Sequence, residues 1–163
     1  MADVISYQEM LYKNAELKRQ NLFIFSVDGI DAWTVRTATR PHFTIVDLKD
    51  QFLNQTAYYA GRGEWQEIAI ELIDPIAPSS AQKVMEWLLL VYESETGRMG
   101  YKAIYAKNVI LKLIGPDGTI VEEWELINGW PKDIDGGALD MSQDATKVTM
   151  KFTLKYDRAI LHY

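Results

Sequence analysis

The stretch VTMKFTLKY, residues 148–156, alternates strictly between apolar and polar side chains. Because successive side chains of a β-strand point to opposite faces, this pattern predicts a half-buried strand. EIAIELI (67–73) repeats the alternation. NLFIFSV (21–27) is apolar at both faces and predicts a strand that is covered on both sides. The chain is therefore predicted to be mainly β.

Two turn signals divide the second half of the chain. GPDG (115–118) predicts the turn of a hairpin between two apolar runs. In ELINGWPKDIDGG (125–137), Trp130 is followed at once by Pro131, which has no backbone N–H, so a strand is predicted to finish there. The Asp-Gly-Gly group at 135–137 predicts a turn. A large aromatic residue beside an exposed acidic loop suggests a surface that another molecule covers.

Residues 33–66 are rich in Thr, Val, Tyr and Phe and carry breaks near Pro41, Asp50 and Gly61. They predict two or three extended segments, more than one small domain easily absorbs. We therefore predict an extended hairpin arm over 33–66. GRG (61–63) lacks the lysine and the following helix of a phosphate loop, and it predicts a turn.

PSSAQKVMEWLLLVYESETG predicts the main helix, over residues 79–96. Ser79 and Gln82 have the spacing of a capping box, and Gly97 follows the helix. Apolar residues at helical spacing predict that one face closes over the sheet: Val84, Trp87, Leu88, Val91 and Tyr92. A weaker helix is predicted over residues 4–19, within a polar N-terminal arm (1–20). No linker separates these elements, so residues 1–163 are expected to form a single domain.

Length, composition and charge restrict the function. The chain has 163 residues, no cysteine and a formal net charge of −6, with 48% hydrophobic and 25% charged residues. This is the balance of an ordinary soluble globular domain, and the acidic excess argues against a dedicated nucleic-acid binder. The absence of cysteine excludes disulfides and thiolate metal sites. We expect no signal peptide, and the apolar run WLLLV (87–91) is too short to cross a membrane.

No residue set forms a catalytic or metal-binding motif. His42 and His162 lack partners at the required spacing and are interpreted as surface or packing residues. The acids Glu122, Glu123 and Glu125 resemble those of a glycosidase, but Glu122 is predicted to point to the opposite strand face, which favours a solvated acidic strip. The tryptophans are assigned to the core or to interfaces: Trp65, Trp87, Trp124 and Trp130. We therefore expect no enzymatic activity, no metal and no cofactor.

The order of these features resembles the tail-tube proteins of contractile-tailed, myovirus-type bacteriophages. The resemblance covers about residues 20–157, through NLFIFSV, the stretch VDLKDQFLNQTAYYAGRGEWQEIAIELID, the helix SSAQKVMEWLLLVYESETG, WELINGWP and VTMKFTLKYD. It implies a β-sandwich or barrel with one flanking α-helix and an extended β-hairpin arm. The chain departs from the family in its longer, charged N-terminal arm and in the apolar segment AILHY (159–163).

The resemblance also implies a structural role. Six copies would close into a ring, and rings would stack into a hollow tube inside a contractile sheath, through which DNA passes without specific binding. Six copies at −6 each give about −36 per ring, a charge that repels DNA. The implied partners are further copies of the chain, the tail sheath protein and a baseplate or tube initiator. The implied location is the tail of a virion, assembled in the cytoplasm of a bacterial host.

Alternation along the arm gives candidate residues for these surfaces. Polar residues of the arm are expected to line the lumen: Asp47, Lys49, Asn54 and Thr56. Their apolar neighbours are expected to pack outward against the sandwich: Val46, Leu48 and Leu53. Residues at the predicted strand end are expected where rings or protomers meet: Trp130, Pro131 and Asp135.

Other functions stay open at this stage. Within the same class, the chain could be a tube initiator or terminator, or the tube of a phage-like secretion or injection device. A β-sandwich with surface aromatics is also compatible with a carbohydrate-binding module. A hydrolase would need the acidic strip to form a cleft. Tubes or rings of the purified protein in electron microscopy would decide for assembly.

Overall fold

The computed structural model describes residues 16–163 and shows a mainly β protein. Its strands are β1 (Phe23–Val27), β2 (Val35–Ala38), β3 (Phe43–Phe52), β4 (Gln55–Trp65), β5 (Ile68–Ile73), β6 (Tyr92–Glu93), β7 (Arg98–Met99), β8 (Lys107–Ile114), β9 (Ile120–Asp135), β10 (Thr149–Lys155) and β11 (Arg158–His162). The helices are α1 (Ser80–Val91), the single turn α2 (Lys102–Tyr105) and a 3-10 turn at Ala32–Thr34. Most of the predicted N-terminal helix (4–19) lies outside the described residues, and 16–19 have no regular secondary structure.

Seven strands form one sheet in the order β1-β8-β9-β10-β5-β2, with β11 also paired to β9. The long strand β9 belongs to both halves of this sheet. Its first part lies between β8 and β11, and its last part pairs with β10. We call β1-β8-β9-β11 the first leaf and β9-β10-β5-β2 the second leaf.

One apolar core lies between the two leaves and α1. Its buried side chains come from the first leaf, as with Phe25 and Leu111, and from the second leaf, as with Leu72 and Phe152. The alternation predicted for 67–73 and 148–156 is confirmed, because every second residue of β5 and β10 is buried. The turn predicted at 115–118 is confirmed as well, with Gly118 at φ 86°.

The strand β9 continues past Pro131 to Asp135, so the prediction that it finishes at Trp130 is wrong. Pro131 lies beside a register shift in the pairing with β10, where the ladder is already irregular. A missing N–H is tolerated at such a position. The left-handed turn residue that follows is Gly137, at φ 77°.

A bend in β9 at Asn128 lets one strand serve both leaves. Asn128 has φ 58°, a left-handed conformation that asparagine adopts more readily than most residues. Its side-chain amide donates to Asp157 at 2.7 Å, and Lys102 donates to the same carboxylate. These hydrogen bonds, from Lys102 first and then from Asn128, hold the pKa of Asp157 below its usual range. The bend is thus fixed by a charged hydrogen-bond network.

The edge strand β1 is covered on one side only, contrary to the prediction for 21–27. Phe25 and Val27 are buried, but Ile24 is 42% exposed. Within residues 16–163, β1 pairs only with β8. An apolar residue on the outer side of an edge strand is therefore left uncovered by the chain itself.

The helix α1 begins as predicted and ends early. The Ser79 side chain accepts a hydrogen bond from Gln82 N at 3.2 Å and caps its first turn. The helix ends at Val91 rather than at residue 96, because Tyr92 is extended and pairs with Met99. Among residues 16–163, no helix has the length and apolar character needed to span a bilayer.

Candidate functional site

The most distinctive surface of the protein is a long two-stranded ribbon formed by residues 35–73. Its root lies in the second leaf, where β2 pairs with β5. The same ribbon continues as β3 paired with β4, from Phe43 opposite Trp65 to Phe52 opposite Gln55. The arm is therefore shorter than the predicted 33–66, because residues 33–42 belong to the body and its root. We use the word arm below for residues 43–65.

The arm lies away from the rest of the described chain. Its two strands pair only with each other and form a separate sheet. Every residue of β3 is exposed, and so is every residue of β4 except Trp65. At about 3.4 Å per residue, the ten residues of β3 carry the tip roughly 30 Å from the root. Both edges of the arm offer unpaired backbone groups.

The two faces of the arm differ in chemistry. The register places polar and aromatic residues on one face, which we call the polar face: Asp47, Lys49, Gln51, Thr56 and Tyr58. On this face Lys49 Nζ lies 5.8 Å from the centre of the Tyr58 ring. The opposite face, called the apolar face, carries Asp50 and Gln55 among apolar residues: Val46, Leu48, Phe52, Ala57 and Tyr59. The prediction that Val46 and Leu48 pack on the sandwich is wrong, since both are more than half exposed.

The tip of the arm is apolar and strained. Phe52 is 76% exposed and Leu53 is 88% exposed. Leu53 has φ 52°, a conformation that costs a leucine about 1–2 kcal/mol. Leu53 and Asn54 form the turn between β3 and β4, so Asn54 does not share a strand face with Thr56 as predicted. Nor does Leu53 pack against the body.

A β-bulge in β4 lies halfway along the arm. The pairing shifts between Ile45 and Asp47, beside the GRG segment that was predicted as a turn and that lies inside β4. A side chain at Gly61 would place its Cβ 2.5 Å from the Val46 carbonyl oxygen. The glycine therefore permits a close backbone approach within a strand.

Aromatic side chains fix the root of the arm. The Phe43 and Trp65 rings lie 4.8 Å apart, and Trp65 lies 6.1 Å from Tyr156. Lys155 Nζ donates to the Trp65 carbonyl at 3.2 Å. Burial raises the pKa of the Tyr156 phenol to about 12, so it stays neutral across the physiological range.

A buried carboxylate lies near the same root. Glu122 is 5% exposed and accepts hydrogen bonds from Lys18 and from the Trp124 indole. Arg40, just before the arm, lies 3.8 Å from the same carboxylate. Burial alone would raise the pKa of Glu122, but the bonds from Lys18 and Trp124 and the two cations together hold it below its usual range.

The other two acids of the strip face the outer side of the first leaf. Glu123 lies 3.3 Å from Lys112 Nζ, and Glu125 lies 3.4 Å from His162 Nε2. Glu122 lies on the other strand face from these two acids, as predicted, but it is buried, so the prediction of a solvated strip is wrong for this residue. Because the three carboxylates do not share a face, they do not form the cleft of a glycosidase. Within residues 16–163, no cluster of three or more His, Cys, Asp or Glu could hold a metal ion.

The candidate interface residues lie at the far end of β9. Pro131 is fully buried, and Trp130 is half-buried with its ring 6.2 Å from that of Tyr105. Asp135 is exposed and accepts a hydrogen bond from Gly137 N at 3.0 Å. His42 is exposed, and its carbonyl accepts from Gln66 N at 2.8 Å.

Comparison with solved structures identifies the fold. The chain is similar to the sheath/tube terminator of the extracellular contractile injection system PVC, with TM-score 0.74, 14% identity, and coverage of 93% of this chain and 100% of that chain. It is also similar to the tube-terminating cap of the anti-feeding prophage, with TM-score 0.71, 14% identity, and coverage of 97% and 99%. For Hcp1 from Flavobacterium johnsoniae the TM-score is 0.51, the identity 14%, and the coverage 86% and 94%.

The chain has the fold of contractile tail-tube proteins. The mainly β architecture expected from the family resemblance is thereby confirmed. No protein-family model matches the sequence, and no curated protein matches it.

The sequence reasoning missed the turn at Leu53 and Asn54 and the exposed residues of the edge strands. The alternation in VDLKDQF predicted two unlike arm faces as far as Lys49, and following it further would have added the exposed Phe52 to the apolar face. Leu53 gave no turn signal, because leucine is uncommon where φ is positive.

Proposed function

We propose that the protein is a structural, non-enzymatic subunit of the tube of a contractile phage tail. Six copies close into a ring, and rings stack into a hollow channel that conducts DNA inside a contractile sheath. The fold supports this proposal, because the similar structures include a sheath-tube complex of an injection system, with TM-score 0.66 and 14% identity. The partners are further copies of the chain, the sheath protein and a baseplate or initiator at the tube end, in a virion tail assembled in the host cytoplasm.

The observation that carries the proposal is the uncovered arm. An isolated two-stranded hairpin is marginally stable in water, and unpaired edges with an apolar face promote association. The arm has both, and its exposed apolar residues extend along the ribbon to a tip roughly 30 Å from the root, where its own body does not cover them. Neighbouring copies would pair these edges, and a closed ring leaves no lateral edge free.

The polar face of the arm is the proposed channel wall. Asp47, Lys49 and Thr56 lie on that face, and Asn54 lies at its end in the turn. A polar lining suits a bore filled with water and duplex DNA. The apolar face would then turn to neighbouring subunits. On the last part of β9, the exposed Asp135 and the exposed side of Trp130 are the proposed contacts between rings or protomers, next to the buried Pro131.

Electron microscopy of the purified protein tests this function. We expect rings and tubes of uniform diameter for the wild type. Thr56→Pro removes a backbone N–H from β4 and should block assembly while the body stays folded. Ala145→Pro, in the exposed loop before β10, is the matched control and should still assemble. A wild type that remains monomeric at high concentration and in the presence of tube seeds would contradict the proposal.

A second candidate is a tube terminator of an injection system. The observation that favours it is the similarity, over nearly the whole of both chains, to two proteins described as terminators. A terminator would form single rings that cap a tube end, whereas a main subunit would form tubes of indefinite length. The same microscopy separates the two roles.

A further inference from the structure

The described chain leaves a groove between the two edge strands β1 and β2. These strands lie at opposite ends of the sheet order and do not pair, so the barrel stays open along this line. Two adjoining cavities of about 480 and 540 Å³ follow the opening and share Phe23 and Arg36. We call this opening the seam groove.

The seam groove has an apolar floor and an exposed aromatic wall. Leu111 and Leu113 of β8 form the floor of the first cavity together with Phe23. Trp33, which is 58% exposed, and Ile24, which is 42% exposed, line the second cavity. A tryptophan and an isoleucine exposed side by side form an apolar surface suited to contact with another molecule.

The rim of the seam groove is basic. Lys18, Arg19, Arg36 and Arg40 line the first cavity. Lys18 and Arg40 are paired with Glu122, and Arg19 is paired with Glu16. Arg36 is exposed, and among residues 16–163 no carboxylate lies within salt-bridge distance of it. An occupant of the groove should therefore be apolar and carry an acid.

The tip of the arm has this chemistry. Phe52 and Leu53 are the apolar end, and Asp50 lies on the same face two residues before Phe52. A leucine held at φ 52° costs stability in the free chain, and such strain persists where the surroundings compensate for it. In the described chain nothing covers Leu53, so the compensation has to come from another molecule.

We propose that the arm tip of one copy docks in the seam groove of another, with Phe52 and Leu53 against Trp33 and Ile24 and with Asp50 facing Arg36. This inference rests on the proposed function, and it specifies which surface of the second copy receives the arm. It leaves the polar face of the arm free for the channel.

Cysteine cross-linking tests the contact directly, because the natural chain contains no cysteine. The variant Leu53→Cys/Trp33→Cys is assembled at the concentration at which the wild type forms tubes, and it is then oxidised. We expect a ladder of covalent oligomers on denaturing gels. The matched control is Leu53→Cys/Met141→Cys, since Met141 is 105% exposed in the loop before β10; it should give no ladder.

The outcomes separate this inference from the proposed function. Wild-type tubes with no Leu53–Trp33 ladder, or with equal ladders for both pairs, would overturn the docking site and leave the tube proposal intact. A wild type that forms no assemblies would overturn both. A ladder specific to Trp33 supports the site.

Two further variants keep the test independent of cysteine chemistry. Leu53→Gly relieves the left-handed strain, so the monomer should be at least as stable as the wild type, while the critical concentration for assembly rises about tenfold or more. Arg36→Glu and Asp50→Arg should each weaken assembly, and the double variant should restore it, because the ion pair is re-formed with reversed signs. A Leu53→Gly protein that assembles like the wild type, or a double variant weaker than both singles, would contradict the inference.

Discussion

Two tryptophans of this protein have opposite environments, one buried and one exposed. Trp87 is 3% exposed, donates its indole N–H to the Tyr105 carbonyl at 2.7 Å and lies edge-on to Phe152. Trp33 is 58% exposed on the wall of the seam groove. The first residue stabilises the monomer, and the second is available to a partner.

Truncating each tryptophan should therefore lower the stability of the monomer to a different extent. Trp87→Ala should lower the free energy of unfolding by about 3–5 kcal/mol, as for other large core truncations. Trp33→Ala should change it by less than about 1 kcal/mol, since more than half of this side chain is exposed in the monomer. Urea denaturation of both variants measures this. Equal losses of stability would show that Trp33 belongs to the folding core.

The buried Glu122 makes stability depend on pH. Its pKa is lowered in the folded state, so its contribution is present above the unfolded value of about 4.3 and is lost as the pH falls through the folded value. Glu122→Gln should cost about 1 kcal/mol at neutral pH, because both cationic partners are partly exposed and screened.

The measurement is the free energy of unfolding between pH 3 and pH 7, roughly the range in which carboxylates titrate. The wild type should lose stability more steeply with acidification than Glu122→Gln. Identical slopes would mean that the Glu122 carboxylate is not held in its charged form by Lys18 and Arg40.

At the scale of elements, the sequence predicted the strands, the turn and the helix start, because the structure of each depends on its own residues. The alternation in β5 and β10, the GPDG turn and the Ser79 cap each depend on local chemistry. The end of α1 could not be predicted in this way, because Tyr92 leaves the helix to pair with Met99. Likewise Pro131 looked like a strand end, and only the register shift opposite β10 explains its place inside β9.

The arm should be separable from the body, since it makes a sheet of its own. Gly61→Ala would force a Cβ against the Val46 carbonyl and distort the bulge. We expect assembly to fail while the thermal unfolding midpoint of the body stays within a few degrees, because the arm shares no strand pairing with the body and a loss of about 1 kcal/mol shifts the midpoint of a chain of this length by only about 2–4 °C.

Gly136→Ala is the control for this variant, because a Cβ there meets no atom within 4 Å. Sedimentation measures assembly, and calorimetry measures the unfolding midpoint. If Gly61→Ala forms tubes normally, the bulge is not required for the arm to fit its partner.

At the scale of the whole molecule, charge governs the proposed channel. Asp47→Lys on the polar face would put six new cations around each proposed ring. It should slow or stall DNA passage without preventing tube formation, since the field of these charges reaches about 8–10 Å at physiological salt. Asp144→Lys makes the same charge change in the exposed loop before β10 and should leave passage unchanged.

The measurement is DNA release from assembled tails carrying either variant. If the two variants behave alike, Asp47 does not face the channel. An assembled structure with residues 44–58 on the outer, sheath-facing wall would also contradict the assignment, whatever the fate of the tube proposal.

The whole-molecule arrangement was the least accessible to sequence reasoning. The surplus of extended chain between 33 and 66 correctly indicated an arm, but the root of that arm depends on β2 pairing with β5 across the hairpin. The seam groove depends on β1 and β2 failing to meet at the two ends of one sheet. Such a relation between distant strands has no local signature, because it follows from topology rather than from any residue pattern.

The chain order of the strands bears on events during synthesis. The ribbon (35–73) is completed early as the chain leaves the ribosome, whereas β8, which supplies Leu111 and Leu113 to the groove floor, is translated later. Under the proposed docking, a nascent chain would present the arm before its own seam groove is complete. Domains fold as units once their sequence has emerged, and distant strand pairings form slowly. Arms on neighbouring ribosomes of one messenger would thus find no complete groove on any chain whose β8 has not yet emerged, which would limit premature association under the proposed docking.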